Sequence, residues 1–304
     1  MPSISYYLIR MVLKVKGIKK TFSKVPLDVQ RLRKEDIHQP SGKLLAGSAA
    51  TTFSVQQSTV TEISPPSSAT DFLLLYCPGG AYVYGPTELN WRPLARLVKN
   101  TRTRAWVVDY PKAPEANIRE IATNIDAVYA EARRRYSPAN IMLLGDSVGG
   151  SLVISLVQRL IKAGETPPSH LIIISPVLDA SMSNPEIAEI DKVDPILSRP
   201  GVLSAKRMCA AGMDLKDPLI SPLYGSFQQF PATSLFIAEN DIMRPDQELA
   251  GWEMQEEDVE FTVIEGKGMP HVWPLLPVMK EAKEALNQLE EIVLKTIQSK
   301  KQKV

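Results

Sequence analysis

A single α/β fold with a mostly parallel central sheet is what this chain predicts, on three observations. Six short runs are apolar almost throughout, helix-like segments alternate with them, and a Gly-x-Ser-x-Gly pentapeptide stands where one apolar run gives way to a helical one. Runs apolar on both faces suit strands covered on both sides, and their alternation with helices is the pattern of a doubly wound sheet.

In chain order, the first 45 residues read as a helical segment. Within SISYYLIRMVLKVKGIKKTF, Tyr7, Leu8, Met11, Val12, Val15 and Ile18 recur at helical spacing, with Arg10, Lys14 and Lys16 largely off that stripe. The charges leave no uncharged stretch of about 18 residues to span a bilayer, and no small-residue cleavage site follows an apolar core. The stripe is expected to pack on the protein itself rather than lie on a membrane surface. TTFSVQQSTVTEI (51–63) alternates and is rich in β-branched residues, which predicts antiparallel strands at one sheet edge. SPPSSAT (64–70) reads as a loop. The six apolar runs follow at 72–77, 105–110, 140–146, 170–176, 234–240 and 260–266. Helical patterns fall near 89–99, 116–135, 150–163, 245–256 and 278–298. The stretch 180–213 breaks this rhythm after the fourth run. With residues 1–45 it is expected to form a helical cap over the carboxyl ends of the strands, where such sheets bind ligands, on a catalytic domain of residues 46–304.

The 304 residues carry a formal net charge of +1, so there is no broad electrostatic footprint for nucleic acid. Lysines cluster at both ends, which reads as solvated faces. Cys77 and Cys209 make neither a disulfide framework nor a zinc motif, and they fit a reducing, cytoplasmic setting. Neither a metal nor a cofactor is expected.

Gly145-Asp146-Ser147-Val148-Gly149 follows the apolar IMLLGD and precedes SLVISLV. A nucleophile elbow requires this strand-to-helix placement, and the bland alternative is a Gly-rich turn leading into a helix. Ser147 is the expected nucleophile. A serine hydroxyl needs a base, and the chain has three histidines. His38 precedes the sheet and His170 opens a buried run, whereas His271 falls in the loop after the last strand. His271 is therefore the expected base. Asp241, directly after SLFIAEN, is the expected acid, giving the order Ser147, Asp241, His271. Of its rivals, Glu239 lies within the strand and Asp246 in the first turn of the next helix. In YCPGGAYVYG (76–85), the paired glycines at a strand end can cradle a developing negative charge or simply make a turn.

Taken together these residues resemble the hormone-sensitive-lipase family of α/β-hydrolases, the bacterial family IV carboxylesterases. The resemblance covers about residues 70 to 275. YCPGGAYVYG resembles the family's HGGG or HGGA loop, GDSVGG its GDSAGG elbow, and VVDYPKAPE its VDYRLAPE segment. ISPVLD resembles SPxLD, DPLISPL resembles DPxxSPL, and AENDIMRPD and GMPHVWP resemble the segments bearing the acid and the histidine. The resemblance implies a serine esterase with a helical cap, acting on short- to medium-chain acyl esters through an acyl-enzyme, with the backbone N–H groups of Gly79, Gly80 and Val148 as the oxyanion hole. Two departures stand out: Pro78 replaces the family histidine, and Pro111-Lys112 replace Arg-Leu. Proline has no N–H but fixes its own φ, so Pro78 is expected to brace the loop rigidly. The competing readings are a lipase, an amidase or formamidase on the same triad, and a silent ligand-binding member of the fold.

Overall fold

The computed structural model describes residues 2–276 and 278–301. Three short helices come first: α1 (Ile4–Val15), α2 (Ile18–Phe22) and α3 (Val29–Leu32). The body then runs β1 (Ala49–Val55), β2 (Ser58–Ser64), β3 (Leu73–Cys77), α4 (Glu88–Thr101), β4 (Arg104–Asp109), α5 (Ile118–Arg135), β5 (Ile141–Asp146) and α6 (Val148–Lys162). It continues with β6 (His170–Ile174), α7 (Ile187–Val193), α8 (Arg199–Ala210), β7 (Thr233–Asn240), α9 (Arg244–Glu256), β8 (Phe261–Pro270) and α10 (Lys280–Lys301).

The eight strands form one sheet in the order β1-β2-β4-β3-β5-β6-β7-β8. β1 and β2 are the antiparallel edge expected from their alternation, and every pairing from β4 to β8 is parallel. β3 and β5 are buried at every position, which is why their sequences show no polar alternation. Helix starts follow local chemistry. Asn117 Oδ1 accepts the N–H groups of Arg119 and Glu120, and Glu120 returns a bond to the Asn117 N–H at 2.7 Å, so α5 opens on a capping box. After β3 the chain crosses to β4 on one side and then to β5 on the other. That reversal opens a crevice between the loops leaving β3 and β5, the place where open α/β sheets bind ligands.

The two irregular stretches meet each other. Gly201 of α8 lies so close to the Phe22 carbonyl of α2 that a Cβ there would overlap it. The Leu27 N–H donates to Ser204 Oγ at 3.2 Å, and Lys19 Nζ donates to the Asp194 carbonyl at 2.9 Å.

The expected packing of the N-terminal stripe is overturned. Gly17, at φ +64°, ends the helical run, so Ile18 belongs to a different helix from the other five residues. Tyr7, Leu8, Met11, Val12 and Val15 all face outward, and α1 instead packs through Tyr6, Ile9 and Leu13. The helix carries two apolar arcs, and periodicity cannot say which of them meets the core.

Candidate active site

Ser147 occupies the turn between β5 and α6 with φ 52° and ψ −124°, a conformation sparsely populated for any residue with a side chain. The strain is held by bonds on both sides. The Ser147 N–H donates to the Ile174 carbonyl at 2.9 Å, and its carbonyl accepts from Gly150 at 3.0 Å and Val177 at 3.2 Å. The turn therefore projects the hydroxyl above the carboxyl edge of the sheet.

Strand register brings the other two residues together. β7 and β8 remain paired through an irregularity as far as Asn240 opposite Pro270. The next residue on each strand is thus Asp241 and His271. His271 Nδ1 lies 2.8 Å from Asp241 Oδ2, and His271 Nε2 lies 3.0 Å from Ser147 Oγ. Asp241 is fully buried and His271 is 4 % exposed. The remaining Asp241 oxygen accepts the Met243 N–H at 2.9 Å, and the Val272 N–H donates to the buried Ser175 hydroxyl at 3.1 Å, tying down the turn behind the histidine. Burial alone would lower the His271 pKa. The charge and hydrogen bond of Asp241, joined by Asp194 and Asp146, outweigh it and hold the imidazole above its ordinary 6.5.

The rival residues lie where the sequence reading put them. His38 is exposed, with Nδ1 2.6 Å from Asp109 Oδ2. His170 bonds to Ser234 Oγ at 2.9 Å, and burial pulls its pKa down to about 4. Asp246 lies in the first turn of α9 and accepts from Asn184, while Glu239 accepts the Gly268 N–H. Trp91 and Trp273 are packing residues, each buried with its indole N–H on a backbone carbonyl.

The loop after β3 departs from expectation at Gly79. Its N–H donates to Asp146 Oδ1 at 2.9 Å and so is already engaged. The same oxygen accepts from the Tyr76 hydroxyl and from Asn90 Nδ2 at 3.3 Å. Burial raises the Asp146 pKa, against the hydrogen bonds from Tyr76 and Gly79. Gly80 has φ +129°, where a Cβ would collide with the Tyr84 carbonyl. Among the described residues, the N–H groups of Gly80, Ala81 and Val148 have no acceptor. The loop is braced from outside the Pro78 ring: the Tyr110 hydroxyl donates to the Pro78 carbonyl at 2.8 Å. Lys112, part of the other departure from the family pattern, is half-buried against that tyrosine, with Nζ 3.9 Å from the ring centroid and 2.9 Å from Asp109.

Two further buried groups were not legible as site neighbours. Asp194, between α7 and α8, accepts the N–H groups of Ile196 and Leu197 at 2.8 Å each and that of Ile242 at 3.0 Å. Burial, with the Asp241 charge next, raises its pKa. Lys206 of α8 is 1 % exposed, with Nζ 4.4 Å from the Tyr82 ring centroid, and burial brings its pKa down to about 7. A cleft of about 770 Å³ between α9 and the β7–β8 edge, lined by Gly251, Val259 and Phe261 among others, contains none of the residues named above as nucleophile, base or acid.

A profile of the α/β-hydrolase fold family matches residues 74–275. An esterase of Acinetobacter venetianus is 29 % identical over 233 residues, covering 76 % of this chain and 77 % of its own length. A carboxylesterase/phospholipase of Mycobacterium tuberculosis is 25 % identical over 261 residues, covering 81 % of this chain and 69 % of its own. The crystal structure of an esterase from the bacterial hormone-sensitive lipase family superposes with a TM-score of 0.87 at 23 % identity, covering 98 % of this chain and 99 % of that one. With its strand order, its elbow and the family match in agreement, this chain belongs to the α/β-hydrolase fold family, and its motifs resemble those of the hormone-sensitive-lipase group.

Proposed function

We propose that the protein is a serine carboxylesterase that cleaves short- to medium-chain acyl esters through an acyl-enzyme. Esterase- or lipase-type hydrolysis is the coarser reading, supported by the family and its esterase relatives. The finer reading is carried by one observation: the unbroken relay from Ser147 Oγ through both nitrogens of His271 to Asp241.

In this mechanism His271 Nε2 takes the Ser147 proton as the hydroxyl oxygen attacks the ester carbonyl. Asp241 holds Nδ1 protonated and stabilises the imidazolium. The oxyanion of the tetrahedral intermediate is received by the N–H groups of Gly80, Ala81 and Val148. Gly79 drops out of that role because Asp146 holds its N–H, and Ala81 takes its place. When the carbon–oxygen bond breaks, His271 protonates the departing alkoxide. Water, deprotonated by the same imidazole, then attacks the acyl-enzyme and releases the acid and free Ser147. The segments 1–45 and 180–213 act as a cap bounding the acyl site, a reading supported by their mutual contact.

The test is hydrolysis of p-nitrophenyl esters of graded acyl length. Ser147→Ala, His271→Ala and Asp241→Ala are each expected to lose at least about a thousandfold in kcat, and the double variants no more than the worst single one, because the triad acts as a unit. Additive losses would contradict a relay.

A further inference from the structure

Among the described residues, the outward face of α1 has no partner in the fold. Ile4, Tyr7, Leu8, Met11, Val12 and Val15 are 42 to 82 % exposed. At 3.6 residues per turn they cover an arc of about 140°. The exposure does not come from a loose helix, because the opposite face is fixed. Tyr6 is buried, and Ile9 and Leu13 lie against the core. The Ser3 hydroxyl donates to Glu281 at 2.8 Å, and the Lys280 N–H donates to Ser5 Oγ at 3.0 Å. A scattered exposed leucine needs no explanation, but six apolar side chains contiguous on one secured helix do.

Charge identifies the occupant. Residues 2–27 hold six cations, Arg10, Lys14, Lys16, Lys19, Lys20 and Lys24, and no Asp or Glu. Lys19 pairs with Asp191 and Lys24 with Asp28. Arg10, Lys14, Lys16 and Lys20 are exposed and form no ion pair among the described residues. On the helical wheel Arg10 and Lys14 border one side of the apolar arc and Lys16 the other. A second copy of the chain would bring these cations against their own kind, whereas an anionic surface would neutralise them. The helix is too short to cross a bilayer, and no described helix is long and apolar enough to do so. An apolar arc flanked by cations is the pattern of a helix that lies in the headgroup region.

We propose that this face of α1 docks the protein on anionic lipid surfaces, with Ile4, Tyr7, Leu8, Met11, Val12 and Val15 inserted among the acyl chains and Arg10, Lys14, Lys16 and Lys20 on the headgroups. The helix begins beside the catalytic loop: Pro2 abuts Gly268, three residues before His271. Docking would therefore set the edge bearing Ser147 toward the lipid rather than away from it. The inference stands apart from the ester mechanism, since neither observation behind it involves the triad.

The test is co-sedimentation of the full chain with phosphatidylglycerol vesicles and with phosphatidylcholine vesicles, at low and high salt. Thermal melts check the folding of each variant, and hydrolysis of a water-soluble p-nitrophenyl ester is followed in parallel. The chain is expected to bind phosphatidylglycerol at low salt and to be released by high salt. Affinity for phosphatidylcholine should be at least about tenfold weaker. Arg10→Glu with Lys14→Glu should weaken anionic binding by roughly thirtyfold or more, at about fivefold per basic residue removed. Leu8→Ser with Met11→Ser should weaken it comparably, and both double variants should keep the cooperative thermal melt of the parent chain, since all four residues are exposed. Absence of binding to phosphatidylglycerol, equal binding to both lipids, or binding unchanged in either double variant would overturn the proposal. So would a dimer in analytical ultracentrifugation that Leu8→Ser with Met11→Ser dissolves, because the face would then belong to a second copy. Failure here with an active enzyme leaves the triad reading intact, and loss of soluble-ester activity in Ser147→Ala does not touch this one.

Discussion

Asp146 Oδ1, one residue before Ser147 at the end of β5, holds the backbone N–H of Gly79, two residues after the end of β3, at 2.9 Å. The bond sews the loop after β3 to the elbow after β5, so the two halves of the proposed oxyanion site move as one. Removing the acceptor leaves the Gly79 N–H and the Tyr76 hydroxyl proton buried without an acceptor, while Asn90 Nδ2 keeps its 2.8 Å bond to the Tyr76 oxygen. Each unpaired group costs about 1 to 3 kcal/mol. Asp146→Ala is thus expected to lose several kcal/mol in urea unfolding and about a hundredfold in kcat, the usual scale for losing oxyanion stabilisation. Asp146→Asn keeps an acceptor and should keep most of both. Equal damage from the two variants would show that charge, not the bond, is what the loop needs.

The brace from Tyr110 can be tested apart from the Pro78 ring. Tyr110 is buried and its hydroxyl ends on the Pro78 carbonyl. Tyr110→Phe is expected to cost about 1 kcal/mol in stability and to lower kcat more than it raises KM, because the loop positions donors that act in the transition state. A change confined to KM would place the tyrosine in substrate binding instead.

Asp194 links the inserted segment to the residue after Asp241 through the Ile242 N–H, and its charge is among those that raise the His271 pKa. His271 must be neutral to accept a proton, so kcat/KM falls as pH drops through that raised pKa. Removing the Asp194 charge in Asp194→Asn should shift this acid limb to lower pH. The pH–rate profile of kcat/KM checks it, and a limb that stays in place or moves upward would mean that Asp194 serves structure alone.

Lys206 gives a pH dependence of opposite origin. Its folded pKa, about 7, lies below its ordinary 10.5, so between those values the unfolded chain binds the extra proton and stability rises with pH. Below about 7 the full penalty of burying the charge is present. Lys206→Met fills the space without the charge and is expected to stabilise the protein by about 1 to 4 kcal/mol at neutral pH. The gain should fade toward pH 10.5 in thermal melts. Destabilisation at pH 7 would show that the ammonium has a partner it depends on.

The strands were legible because their runs are apolar throughout, and Ser147 and Asp241 each directly follow one. A buried parallel strand declares itself by lacking polar alternation, and its carboxyl end is where such sheets carry chemistry. What escaped depended on contacts that cross the chain. Nothing local distinguishes the Gly79 N–H from that of Gly80, since the acceptor, Asp146, lies 67 positions away. An ionisable residue inside the otherwise apolar IMLLGD was the one signal available. Asp194 lies in a stretch whose composition is that of an ordinary loop, and its role depends on Ile242, 48 positions on. On α1, two apolar arcs shared one helix, and only the position of α10 and the core decides which is covered.

In the proposed mechanism Ser147 Oγ carries the acyl group of a covalent acyl-enzyme. Stoichiometric labelling with a fluorophosphonate, followed by peptide mass spectrometry, tests it most directly. One adduct per chain on the peptide carrying Ser147, formed in step with the loss of p-nitrophenyl ester hydrolysis and absent in Ser147→Ala, is the expected result. An adduct on any other residue, or full hydrolytic activity in Ser147→Ala, would contradict it.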